Sequence, residues 1–387
     1  MAERVFLHLG VPKSGTTYLQ TLLWQHKEVL QEQGVLLPGA RRQEHTWSSF
    51  AVREDPVLLK RGPEAPGAWD RITAEVAAWP GIAVISHEFF GAATTEQANR
   101  ALAALAPAQV HLVVTARDAL SLLTASWQEL LKYRDTTPLR SHNREVSASP
   151  LDVWNWRSLD ASEVLGRWAT AIPPQQVHVV VLPRQPSSET EYWQRFAGLF
   201  MQDPGGVDAA ASVRNESMGV VESELLRSIS GKLPQDLTKF PTHTWMRDYV
   251  AAQQLVPRRG EPFWPAAEQL EECRVRSEVM TARIDQARYH VVGSLDDLLV
   301  PTELPQRRTP DDVTDAELAG AGAEVLAAVL LDLRATTAKL HKSELRNARL
   351  RRRLKTSAEV DAAAPTTRRP PRSRRVATAL SRFSRRP

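Results

Sequence analysis

Short apolar runs alternate along this chain with longer segments whose apolar residues recur at helical spacing. Val5 to Leu9, Ile82 to Ser86, Val110 to Thr115 and Val177 to Leu182 read as strands, rich in β-branched residues and short enough to be buried on both faces. Between the first two, Thr17 to Gln33 carries Leu19, Leu22, Leu23, Trp24 and Leu30 and stops at Gly34, a residue suited to the position just past a helix. Ala119 to Lys132 and Ser162 to Ala171 show the same period. Strands alternating with helices predict an α/β domain with a parallel sheet flanked by helices. The stretch from Gly39 to Pro66 is polar, contains Pro and Arg, and lacks a clear period, which predicts a loop or lid near a site. After Pro204-Gly205-Gly206 the chain becomes mainly helical, and residues 289 to 301 read as a final strand with a closing turn. No internal repeat is visible.

Beyond Pro305 the character changes. Thr314 and Glu317 form a capping-box pattern, and a helix is expected from there to about Lys355. Leu326, Leu333, Leu340, Asn347 and Leu354 recur every seven residues, as in one stripe of a coiled coil, although Thr336 and Ser343 weaken the partner positions. Two readings follow: a homodimer through the 315–355 helix, or a helix packed on its own domain. From 356 to 387 Pro, Arg, Ser and Ala dominate, and a disordered basic tail is expected. The domains are therefore drawn at 1–304, 305–355 and 356–387.

Composition changes this picture in one respect. The formal charge is +4, yet fourteen Lys and Arg against two Asp and Glu fall between Arg346 and Pro387, so that stretch carries +12 and residues 1–345 carry −8. The body is acidic and the tail basic. Such a tail suits nucleic acid, an anionic membrane surface or an acidic glycan, or serves only as a solvated extension. Phe383 is the single aromatic residue within it, so specific nucleic-acid readout is not expected. One cysteine, Cys273, excludes an intramolecular disulfide framework and a cysteine metal cluster. The ten histidines are scattered, so no metal site is expected. No secretory signal and no transmembrane run is visible, and a cytoplasmic protein is expected.

The chemistry is concentrated where the first strand ends. VFLHLGVPKSGTTYLQTLLW runs from a strand through Gly10 and Pro12-Lys13-Ser14-Gly15-Thr16-Thr17 into a helix. A turn of this kind aims backbone N–H groups and a helix dipole at one point, which makes an anion cradle. It is not a Walker A loop: Gly10 and Gly15 are correctly spaced, but Thr16 stands where lysine is required, and Lys13 precedes the second glycine.

PKSGTT between a strand and a helix resembles the 5′-phosphosulfate loop of the PAPS-dependent sulfotransferases, in a bacterial-type member. The resemblance implies a P-loop kinase-like sheet and PAPS as cosubstrate, giving PAP, with no metal. It implies that Lys13 contacts the bridging oxygen and 5′-phosphate, and that Pro12, Ser14, Gly15, Thr16 and Thr17 form the rest of the loop. In VHLVVTARD the arginine at the strand end, Arg117, matches the family's 3′-phosphate ligand, with Asp118 or Glu129 as salt-bridge partners if its role is structural. The serine that follows in the family falls on Ala125 here, so Ser126, Ser121 and Thr124 are the candidates. In GIAVISHEFFG, His87 matches the histidine that deprotonates the acceptor in small-molecule enzymes, although the lysine and proline of that segment are absent. Carbohydrate sulfotransferases use a glutamate after the first helix, where Glu44 and His45 lie, so the base is His87, Glu88 or Glu44. Arg214 in VRNESMG stands where the family closes a basic loop over the 3′-phosphate. Trp127, Trp154, Trp156 and Trp168 are either core or a wall for adenine or acceptor.

The expected activity is sulfuryl transfer from PAPS to a hydroxyl or amine of a small molecule or carbohydrate, with specificity set by loops 39–66, 135–150 and 233–265. Two other readings remain: a P-loop phosphotransferase using ATP, and a non-catalytic nucleotide-binding scaffold.

Overall fold

The computed structural model describes residues 2–209, 217–234 and 243–363. In chain order the elements are β1 (Arg4–His8), α1 (Thr16–Gln25), α2 (Lys27–Glu32), β2 (Val35–Leu36), α3 (Gln43–Val52), α4 (Ala68–Ala78), β3 (Ile82–Ser86), α5 (Thr95–Ala103) and β4 (Gln109–Ala116). They continue with α6 (Ala119–Lys132), α7 (Trp156–Leu159), α8 (Ala161–Trp168), β5 (Val177–Val181), α9 (Glu191–Ala197), α10 (Val220–Lys232), α11 (Ala267–Gln286), β6 (His290–Val292) and α12 (Asp315–Ala363).

The six strands form one sheet in the order β2-β3-β1-β4-β5-β6, and every pairing is parallel. Their apolar composition is the cause: Val5, Phe6, Leu7, Ala83, Val84, Ile85, Leu112, Val113, Val114, Val179 and Val180 are all buried, as a sheet covered on both faces requires. On one face Phe6, Val84, Val113 and Val180 pack with Leu19, Leu22 and Leu23 of α1 and with Trp193 and Phe196 of α9. β1 pairs with β3 on one side and β4 on the other, with His8 opposite Ser86 and Val113. The chain therefore leaves β1 toward opposite sides of the sheet on successive excursions, and such a switch point opens a crevice beyond the strand's carboxyl end.

The four strands expected from the sequence are present within a residue of their expected ends. The helix expected at 17–33 is instead two, α1 and α2, broken at His26 (φ −112°), and Gly34 follows with φ +80° as its place past the helix end predicted. The largest correction concerns 39–66. This stretch holds a ten-residue helix, α3, and a 3-10 turn at Pro56–Lys60. Its period was invisible because the buried face of α3 is polar: Glu44, His45, Ser48 and Ser49 lie inside with Phe50 and Val52. Ser48 and Ser49 donate their hydroxyls to the Glu44 and Thr46 carbonyls, so the helix backbone itself satisfies them.

The capping box at Thr314 and Glu317 is formed, and α12 runs to Ala363 rather than to about Lys355. The chain divides into units 1–325 and 326–387, a boundary inside α12 rather than near Pro305. Ala321 and Val325 are buried, whereas Leu326, Leu333, Leu340 and Leu354 of the heptad stripe are exposed. Residues 364–387 of the basic tail lie outside the described residues. No helix among the described residues is long and apolar enough to cross a membrane.

Candidate functional site

The loop that joins β1 to α1 is built by two residues with positive φ besides Gly10: Lys13 at 69° and Gly15 at 86°. Gly15 is the residue before α1, and no side chain caps that end of the helix. A Cβ on Gly15 would lie 2.8 Å from Cε1 of Tyr192, so glycine is required there by packing as well as by φ. At Gly10 a Cβ would lie 2.7 Å from Cγ2 of Thr16 and 3.3 Å from Cβ of Glu88, which brings the start of α1 and the end of β3 against the same turn.

A chain of buried polar groups pins this loop to the sheet. His8 Nδ1 lies 2.8 Å from Ser86 Oγ, and His8 Nε2 lies 3.3 Å from Thr115 Oγ1. Thr115 Oγ1 also accepts from Val11 N and lies 2.7 Å from Ser14 Oγ, while Ser14 Oγ donates to Val11 O at 2.6 Å. Following the donors fixes every proton: Ser86 to His8, His8 to Thr115, Thr115 to Ser14, Ser14 to Val11. Ser14 is fully buried, with its hydroxyl and its N–H both directed at Val11 O. Tyr192 of α9 closes the underside, donating its hydroxyl to Ser14 O at 2.5 Å. Burial pushes the Tyr192 phenol well above the usual tyrosine range, so it stays a donor.

On the β4 side the loop meets charge. Lys13 Nζ lies 2.8 Å from Glu129 Oε2 of α6, a carboxylate only 3% exposed. Lys132 reaches the same oxygen at 3.2 Å, and Arg247 reaches the other at 3.2 Å. Burial pushes the Glu129 carboxyl up, but Lys13, Lys132 and Arg247 together hold it down at about 2. Arg117, half-buried at the end of β4, donates to Lys13 O at 3.1 Å, and among the described residues no carboxylate lies within ion-pair distance of it. Asp118, its neighbour, accepts from Ser121 N and caps α6 instead.

On the β3 side the loop meets neutral rings. His87 Nδ1 accepts from Phe89 N at 3.2 Å and lies 3.3 Å from Ser49 Oγ, so the neutral ring carries its proton on Nε2. Burial lowers its pKa to about 4. The occupied Nδ1 lone pair makes it a poor proton acceptor. Glu88 accepts from Gln20 Nε2 at 2.8 Å, and Gln20 Oε1 accepts from Arg42 at 2.7 Å. Burial raises the Glu88 carboxyl, but His87, Gln20 and Arg42 bring it below its ordinary value. Glu44 has both oxygens engaged, one by Ala40 N and one by Arg71 Nε. His45 Nε2 donates to Pro38 O at 2.8 Å while Nδ1 accepts from Ser86 N, so it is a strut between α3 and β3.

Pro12, Lys13, Ser14, Gly15, Thr16, Thr17, Arg117, His87 and Glu88 thus gather around one strand end, with Thr16 buried and Thr17 exposed. Ser126 does not join them: it is fully buried and bonds Leu123 O and His142 Nε2. Thr124 bonds backward along α6, to Leu120 O and Ser121 O. Arg214 lies outside the described residues. Trp127, Trp156 and Trp168 are core residues whose indole N–H groups reach Thr137, Asn143 and Phe90 carbonyls, while Trp154 stands edge-on to Phe89 at 5.9 Å. Sequence reasoning did not select His8, Gln20, Arg42, Ser86, Thr115, Glu129 as a lysine partner, or Tyr192. The signal for three of them was a polar residue near the carboxyl end of an apolar strand. In comparisons with protein-family models, with curated proteins and with solved structures, nothing matches this chain.

Proposed function

We propose that this chain transfers the sulfuryl group of PAPS to a hydroxyl or amine acceptor and leaves adenosine 3′,5′-bisphosphate. One observation carries the reading: Lys13 and Arg117, two cations from different strand ends, meet at a loop that leads into an uncapped helix N-terminus. The strand order 2-3-1-4-5 with the loop after β1 supports a P-loop arrangement of the kinase-like type.

The residues present fit such a cosubstrate. The helix N-terminus that no side chain caps, entered through a turn with positive φ at Gly10, Lys13 and Gly15, suits an anion held by backbone groups. Lys13 neutralises the phosphate oxygen that departs, and Arg117 offers a planar fork to a second phosphate. PAPS supplies the activated sulfuryl group: its bond from sulfur to phosphate oxygen breaks as a bond from sulfur to the acceptor forms. The acceptor's proton passes to a side chain. Glu88 is favoured over His87 and Glu44, because it engages one side chain, Gln20, whereas the His87 Nδ1 lone pair and both Glu44 oxygens are occupied. Charge neutralisation at the leaving oxygen carries most of the catalysis in a loose in-line displacement.

Calorimetry with PAP and with ATP tests this. PAP is expected to bind at least about tenfold more tightly than ATP, a difference of ~1.4 kcal/mol. The opposite preference overturns the reading in favour of an ATP phosphotransferase. PAP binding with no mass gain by any acceptor in a screen with labelled PAPS indicates a nucleotide-binding scaffold.

A further inference from the structure

Glu129 is a single buried carboxylate that faces three cations, Lys13 at 2.8 Å, Lys132 at 3.2 Å and Arg247 at 3.2 Å. Each comes from a different place: the loop, the last turn of α6, and the π-helical segment His243–Leu255. Arg247 is further fixed by donating to the Tyr133 hydroxyl at 2.7 Å. Of the three, Lys13 is set apart by its backbone. It stands at φ +69° inside the anion cradle, with its side chain about a quarter exposed, whereas Lys132 is anchored three residues along the helix from Glu129.

We propose that Glu129 is the resting partner of Lys13, holding its ammonium away from the cradle until an anion enters and takes it over. A buried carboxylate with one partner could not release it, since an unpaired buried charge would remain. Glu129 can, because Lys132 and Arg247 stay on it. The third cation is therefore exchangeable, and after Lys13 leaves the two fixed ones still engage both carboxylate oxygens, Lys132 on Oε2 and Arg247 on Oε1. Two consequences follow. The anion affinity of the loop is a difference between two ion pairs, and the return of Lys13 to Glu129 helps discharge the product. This inference rests on the anion-binding reading of the loop, and makes Glu129 a positioning residue rather than a catalytic one.

The test is a double-mutant cycle read by calorimetry with PAP. Glu129→Gln is expected to tighten PAP binding about five- to tenfold in the wild-type background and to change it less than about twofold when Lys13→Ala is already present. Equal tightening in both backgrounds would show a general charge effect and overturn the proposal, as would weaker binding in Glu129→Gln alone. Glu129→Asp, which keeps the charge but withdraws it, should tighten binding by a smaller factor and guards against a folding defect in the amide variant. A ligand-free readout separates this proposal from the functional reading: the acylation rate of Lys13, followed by mass spectrometry of its peptide. It should rise several-fold in Glu129→Gln. If wild type binds no PAP while that rate rises, the sulfotransferase reading fails and the parking of Lys13 stands; if PAP binds and the rate is unchanged, the reverse holds.

Discussion

The two flanks of the loop after β1 differ in their materials. Toward β3 a framework of buried neutral groups, His8, His45, His87, Ser86 and Gln20, surrounds one carboxylate, Glu88, which Gln20 links to Arg42. Toward β4 the contacts are made by full charges: Lys13, Lys132 and Arg247 around Glu129, and Arg117 on the loop's own carbonyl. Neutral networks define geometry, because every ring has one tautomer that satisfies its neighbours. Ionic clusters tolerate the loss of one member and so can rearrange around a ligand. The proposed function, positioning a proton acceptor while gripping and releasing a polyanion, would draw on both, and here β1 separates them.

Acid should break this contrast most strongly. Burial lowers the imidazole pKa to about 3 in His8 and to about 4 in His45, His87, His142 and His178. Above pH 6.5 these rings are neutral in both folded and unfolded chains, and their stabilisation is complete. As pH falls from 6.5 toward 4 the unfolded chain takes up protons that the folded chain refuses, at about 1.4 kcal/mol per pH unit for each ring. At pH 5 the loss is on the order of 2 kcal/mol for a fully buried ring. Glu129 responds in a lower range: its stabilisation is present above the ordinary carboxylate pKa, falls away progressively below it and is gone once pH reaches about 2. Thermal unfolding followed from pH 7 to 5 should therefore show a steep fall in midpoint with uptake of several protons. A flat profile would mean that the rings are open to solvent.

Substitutions on the two flanks should then separate binding from turnover. If the chain is a sulfotransferase as proposed, Lys13→Ala is expected to lower turnover by about 100- to 1,000-fold, or ~3–4 kcal/mol, and to weaken PAP as well, since it removes the cation assigned to the leaving oxygen. Glu88→Gln, on the other flank, should lower turnover by about 100-fold and leave PAP affinity within twofold, the signature of a group acting only on the acceptor. Steady-state kinetics beside calorimetry distinguishes the two. If Glu88→Gln weakens PAP as much as Lys13→Ala does, the flanks are not divided by task.

Much of the frame was legible in the chain, and the reason is uniform. The four strands from Val5 to Leu182 announce themselves because they are buried on both faces, and PKSGTT because a tight strand-to-helix turn needs glycine at φ +86°, where Gly15 stands. What stayed hidden was polar burial. α3 buries Glu44, His45, Ser48 and Ser49, and a helix whose inner face is polar has no hydrophobic period to read. Ser126 lies one residue past the spacing that falls on Ala125, and the helix turns its hydroxyl to His142, a partner sixteen residues away that spacing alone does not disclose. Glu129, in reach of Arg117 by sequence, pairs with Lys13 instead, while Arg117 is held by the Lys13 carbonyl. Tyr192 is 178 residues from Ser14 in the chain, and only the packing of α9 against α1 brings them together.

Tyr192 supplies the smallest and most local probe of the comparison, because it lies beneath both flanks. Its ring fills the space that a side chain at Gly15 would need, and its hydroxyl bonds the carbonyl of buried Ser14 at 2.5 Å. Tyr192→Phe keeps the ring and removes the hydrogen bond, leaving a buried carbonyl without that donor, which costs about 1–3 kcal/mol. The expected result is a lower urea midpoint at unchanged slope, together with PAP binding weakened by no more than about fivefold, since Lys13, Arg117 and the helix N-terminus all remain. A normal midpoint with normal PAP affinity would mean that ring packing alone sets the loop. A normal midpoint with PAP binding lost would instead make the hydroxyl part of the anion site, and the boundary between its floor and its walls would have to be redrawn.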